Sequence, residues 1–147
     1  MFKTILVALD GSPQSRKVLE LASSFARSAS DDTRLHLVCV LDPAYALDDS
    51  KSLFANQEYP AAATEQHHAE DLIESALLQL QERGIHCSAQ TLTGDPAQAI
   101  CEEATRIDSQ LIVIGHRHLT FLGRLLDPSV GGKILNASPC PVLVEVR

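Results

Sequence analysis

Long apolar runs are missing from this sequence. The longest, ILVAL at Ile5 to Leu9 and LIVIG at Leu111 to Gly115, fall far short of the roughly 20 residues that a membrane-spanning helix needs. No membrane insertion is therefore expected. The opening MFKTILVALDGS has no extended apolar segment of the kind a secretory signal requires, because Asp10 interrupts it. The expectation is a soluble cytoplasmic protein. Basic excess is missing too: the formal net charge is -7 and the isoelectric point about 5.2, which excludes an electrostatic grip on nucleic acid or anionic lipid as the main activity. Any bound anion must be held locally. Cys39, Cys87, Cys101 and Cys140 show no C-x-x-C or other metal-ligand spacing. Cys39 lies inside LHLVCV and Cys140 abuts another apolar run, so both read as small buried residues with reduced thiols.

What is present is an alternation. At 147 residues, 45% of them hydrophobic and 21% charged, the chain suits one globular domain covering 1–147. Lys3 to Leu9 reads as a strand, and Ser12-Pro13 as a cap followed by a first-turn proline. Val18, Leu21, Ala22, Phe25 and Ala26 then recur at helical spacing. Leu35 to Leu41 is a second strand. Ala44 to Tyr59 has no clean period and reads as a long loop or a frayed helix start. Ala69, Leu72, Ile73, Ala76, Leu77 and Leu80 mark an amphipathic helix that ends at Arg83-Gly84. Ile85 to Leu92 gives a third, more mixed strand. Gly94-Asp95-Pro96 then opens a helix with Ala97, Ile100, Ala104 and Ile107 on its buried face. Leu111 to Gly115 is a fourth strand, Ser129 to Ala137 a short helix and Pro141 to Val146 a fifth strand. Strands alternating with helices predict a doubly wound, five-stranded parallel sheet of Rossmann-like α/β type.

In such sheets ligands bind beyond the carboxyl ends of the strands, where the strand order reverses. Asp10 ends the first strand and could accept from a ribose hydroxyl or an adenine amine; equally, it could satisfy backbone donors of its own turn. Gly115 ends the fourth strand and could let a phosphate approach the backbone, or serve only the turn. The helix beginning at Ser129 offers free N–H groups and a positive dipole end. His116, Arg117, His118 and Arg124 lie between these ends and could donate to phosphate; the plainer reading is a solvated basic loop. His116-x-His118 lacks a third metal ligand, and no metal is predicted. His67-His68 reads as surface.

Together LVALDGS, LVCVLDP, TGDPAQAICEEA, LIVIGHR and SVGGKILNASPCPVLVEV resemble the universal stress protein family, in order along nearly the whole chain. The resemblance implies strand order 3-2-1-4-5, which sets strands one and four side by side. It also implies ATP or AMP in the crevice, with Asp10 at the adenosine-binding acidic position, Ala8 and Leu9 beside it, Val40 meeting adenine through its backbone, and Ile114 against the nucleoside. Nucleotide-binding members carry G-x-x-G, nine residues, then G-[ST]. Gly115 and Ser129, with Val130 following, match its ends, while His118 and Pro128 replace the inner glycines. Proline removes a donor and fixes φ near about -65°, and Asp127-Pro128-Ser129 resembles Asp95-Pro96-Ala97, a plain helix start. These departures argue against triphosphate binding in the usual manner, unless His116, Arg117, His118 and Arg124 compensate.

The terminal strand Pro141–Val146 is an edge strand with little protection beyond Glu145. Pairing with a second copy is a natural solution, and the resemblance also implies a homodimer; cover from within the monomer is the alternative. Three functions compete. The first is a stress-response regulatory protein that binds an adenine nucleotide with at most slow ATP turnover, since no nucleophile with an adjacent base is visible. The second is a dimeric stress protein that has lost the nucleotide and acts through protein partners. The third is a phosphoacceptor receiver domain, which would need clustered acids after the first strand and a lysine after the last. Only Asp10 stands there.

Overall fold

The computed structural model describes residues 2–41, 60–115 and 129–146, with the side chains of 60–66 and 129–130 outside the description. Five strands form one parallel sheet: β1 (Thr4–Ala8), β2 (Arg34–Leu41), β3 (His86–Thr93), β4 (Leu111–Gly115) and β5 (Val142–Glu145), in the order β3-β2-β1-β4-β5. This is the order the resemblance implied. It leaves β1 and β4 adjacent at the reversal and puts β3 and β5 on the edges. Register follows the apolar pattern. Leu6 pairs with Ile112 and Val7 with Val113, and all four are fully buried, as expected of strands covered on both faces.

Alternation along the strands feeds two cores. Ile5, Val7, Leu9, Leu35, Leu37, Cys39, Leu111 and Val113 point towards α1 (Gln14–Ala29) and α2 (Pro60–Glu82), meeting Val18, Ala22, Ile73 and Leu80. Leu6, Ala8, Val38, Val40, Ile112 and Ile114 point the other way, towards α3 (Pro96–Arg106) and α4 (Ser129–Ala137), meeting Ile100, Ala104 and Ile134. A one-residue shift of any central strand would exchange its two faces, which is why register is tightly specified here.

Helix ends show how local sequence sets the frame. Asp95 caps α3 by accepting from the Gln98 N–H at 3.0 Å, with Pro96 in the first turn. At the end of α2, Ile85 N–H reaches the Leu80 carbonyl and Gly84 N–H reaches that of Gln81, both at 3.0 Å. Gly84 has φ +71, the left-handed conformation this double closure demands. The end of α3 repeats it with Ser109 to Ala104 and Asp108 to Thr105, Asp108 taking φ 54 without being glycine. The cap expected of Ser12 is not found. α1 begins at Gln14 behind Pro13 with no side-chain cap, and the Ser12 hydroxyl donates instead to Asp10 Oδ1. The helix marked from Ala69 onward starts earlier, at Pro60. The reading of Ala44 to Tyr59 falls outside the described residues.

A polar assembly crosses the α3 face. His36 on β2 receives or donates a hydrogen bond at each ring nitrogen: Ser88 Oγ on β3 lies 2.7 Å from Nδ1, and Glu103 Oε1 on α3 lies 3.0 Å from Nε2. Arg106 donates to both Glu103 oxygens. The hydrogen bond from Arg106 holds the Glu103 carboxyl below the usual glutamate range; burial opposes this, and His36 assists it. The network joins edge strand β3 to the helix above it.

Candidate functional site

The carboxyl ends of β1 and β4 meet at a compact turn. Asp10 is 7% exposed, and its Oδ1 accepts from Ser12 N–H at 2.9 Å, Ser12 Oγ–H at 2.6 Å and Ser15 Oγ–H at 2.8 Å. Ser15 Oγ in turn accepts from the N–H groups of Asp10 and Gly11, each at 3.0 Å. The serine hydroxyl is thus the hub of the turn, and hydrogen bonds to an ionised acceptor are the stronger kind. This is the turn role open to Asp10 from sequence, realised in full. Its negative charge also reaches the core: burial first, and then the Asp10 charge, push the Cys39 thiol up to about 12.

Gly115 faces this turn across the β1/β4 seam. Ala8, Asp10, Gln14, Ser15, Val18 and Gly115 enclose a gap with no water-sized space left in it. Gln14 fills it: a Cβ on Gly115 would lie 2.8 Å from Gln14 Oε1 and 3.0 Å from Gln14 Cδ. A side chain at 115 would have to displace the end of Gln14 and crowd Val18, so close packing on this face favours glycine, whatever it does on the other. Val40 and Ile114, with Ala8, belong to the core on the α3 side, and Leu9 turns into the opposite core. The structure thus brings Ala8, Asp10 and Gly115 together at the strand-order reversal, with Val40 and Ile114 in the flanking strands. Ser129 and Val130 open α4. His116, Arg117, His118, Arg124 and Pro128 lie outside the described residues. A wider groove of about 510 Å³ lies on the other flank of α1, lined in part by Leu9, Ser12, Arg16, Lys17, Leu72 and Gln79. The strand ends do not converge there.

Two contributors to the turn, and one buried acid away from it, were not singled out from sequence. Gln14 and Ser15, polar residues after a proline at a helix start, look like surface positions. Glu103 did leave a signal, since it sits three residues after Ile100 on the buried stripe of α3, where a carboxylate needs a partner. Among the described residues, no group of three or more His, Cys, Asp or Glu side chains could hold a metal ion, and no helix is long and apolar enough to cross a membrane.

Comparison with known proteins bears on the whole chain. Stress response protein NhaX of Bacillus subtilis is 29% identical, the match covering 95% of each chain. A universal stress protein family structure from Burkholderia pseudomallei superposes with TM-score 0.69 at 25% identity, covering 98% of this chain and 96% of that one. An Arabidopsis thaliana family member solved with AMP bound gives TM-score 0.66 at 22% identity, covering 97% and 90%. Since the model of the universal stress protein family matches residues 1–147, and the strand order and these relatives agree with it, the chain belongs to the universal stress protein family.

Proposed function

We propose that this protein binds an adenine nucleotide, ATP or AMP, beyond the carboxyl ends of β1 and β4, and acts as a cytoplasmic stress-response regulator. The observation that carries this reading is the convergence of Ala8, Asp10 and Gly115 at the strand-order reversal, the position where open α/β sheets take ligands. The AMP complex of a similarly folded relative supports the choice of ligand. Asp10, whose Oδ1 is held by the turn, is the acidic residue to meet the adenosine. The Val40 backbone and Ile114 are to form the adenosine surroundings, with Ala8 and Leu9 beside Asp10. His116, Arg117, His118 and Arg124, with Ser129 and Val130 at the α4 N-terminus, are the phosphate donors in place of the missing glycines. We expect slow ATP turnover at most, one domain over 1–147, and a homodimer through Pro141–Val146, whose strand β5 is an edge of the sheet.

A second reading has its own support. His118 and Pro128 depart from the phosphate motif, as they would in a dimeric stress protein working through protein partners alone. Chromatography of the small molecules released on denaturing the purified protein separates the two. Stoichiometric AMP or ATP supports the first; none released, with no change in melting temperature on adding either nucleotide, supports the second.

A further inference from the structure

Gln14 is the first residue of α1, yet it is only 8% exposed. A buried carboxamide must find partners, and this one spans three elements. Its Nε2–H donates to the Glu145 carbonyl at the end of β5, at 2.8 Å. Its other end lies on Gly115 at the end of β4, so close that a methyl group there would meet Oε1 at 2.8 Å and Cδ at 3.0 Å, with Val18 Cγ2 at 3.1 Å behind. The same side chain lines the closed gap with Asp10 and Ser15.

We propose that Gln14 is a positioning residue of the nucleotide crevice, locking the ends of β4 and β5 to the β1–α1 turn that carries Asp10. This rests on the nucleotide-binding reading above. The absent side chain of Gly115 is the space Gln14 occupies, so the glycine serves the lock. Because the gap holds no water-sized space, the separation between the Asp10 turn and the Ile114-Gly115 strand end is fixed by packed atoms. A site pre-set in this way avoids the cost of ordering on binding.

A double-mutant cycle tests the lock and the crevice separately. Gly115→Ala, Gln14→Ala and the double variant are melted with and without AMP, with Ile73→Val in α2 as a control for general loss of stability. Gly115→Ala is expected to lower the melting temperature by about 5 °C, as overpacking does in a chain of this size, and Gln14→Ala in the same chain to recover much of that loss. Gln14→Ala alone is expected to weaken AMP about tenfold at a temperature well below melting, while Ile73→Val leaves AMP affinity unchanged. Gln14→Glu, equal in size but lacking the donor to Glu145, is expected to weaken AMP as well and serves if the alanine variant fails to fold. Strictly additive melting losses would overturn the lock. Unchanged AMP affinity in both Gln14 variants, with wild type binding normally, would overturn the positioning role. Absence of AMP binding by wild type itself would sink the nucleotide reading and the positioning role with it, and the melting cycle would still decide the lock.

Discussion

Replacing Ser15 by alanine should be among the most damaging single-atom deletions in this protein, although the residue sits in the first turn of a helix, where alanine is favoured. Ser15 is 5% exposed, and its hydroxyl makes three hydrogen bonds, accepting from Asp10 N–H and Gly11 N–H and donating to Asp10 Oδ1. Removing it leaves the buried Asp10 N–H without that partner, at a cost of about 1–3 kcal/mol. The half-buried Gly11 N–H adds about 1 kcal/mol, and the donor lost from the carboxylate about 1 kcal/mol more, since Ser12 still serves Oδ1. Alanine recovers about 0.5 kcal/mol through its higher helix propensity. The net expectation is a loss of about 2.5–4.5 kcal/mol, or roughly 5–18 °C in melting temperature for a chain of this length. Urea denaturation followed by circular dichroism reads this directly, with the slope against urea unchanged. The loss should also be non-additive with that of Asp10→Ala, by about 1 kcal/mol or more, because the two residues share one network. A Ser15→Ala protein within about 0.5 kcal/mol of wild type would refute the argument that this hydroxyl organises the turn.

Other expectations follow the same logic. Glu103→Gln should lose about 1–2 kcal/mol at pH 7. Because the folded-state pKa of Glu103 is depressed, its contribution is fully present above the ordinary glutamate value of about 4.3 and fades as pH falls through the folded value; denaturation curves of the two proteins should converge in acid, and a pH-independent gap would contradict this. Cys39, buried and pushed up to about 12, should resist iodoacetamide at pH 8 in the native protein and label only on unfolding, as mass spectrometry of digested protein would show. Val146 is 63% exposed just beyond edge strand β5; on the proposed pairing through Pro141–Val146, wild type should sediment as a dimer and Val146→Glu as a monomer, and a monomeric wild type or a variant that keeps the dimer mass would remove β5 from the interface.

The fold was legible because the central strands carry continuous aliphatic runs and the helices keep clean stripes. ILVAL and LIVIG admit few placements other than the middle of a parallel sheet, and Asp95-Pro96 states its cap in two residues. β3 was harder to bound, because HCSAQTL mixes polar and apolar residues as an edge strand can. The Ser12 cap was misread for a specific reason: the Ser12 side chain turns to Asp10 Oδ1, 2.6 Å away, and not to an N–H of the first helical turn. At the site, Asp10 and Gly115 were visible as strand-end residues. What neither could show alone was the side chain between them, because a glutamine after proline carries no sign of being buried until β4 and β5 are set beside it.

Isothermal titration of AMP into the nucleotide-stripped protein, with Asp10→Ala as control, decides whether an adenine nucleotide binds beyond the ends of β1 and β4. One AMP per chain with wild type, and at least tenfold weaker binding to the Asp10→Ala protein, about 1.4 kcal/mol, is the expected result. Heat no greater than dilution for wild type, or equal affinity in the two proteins, would contradict it.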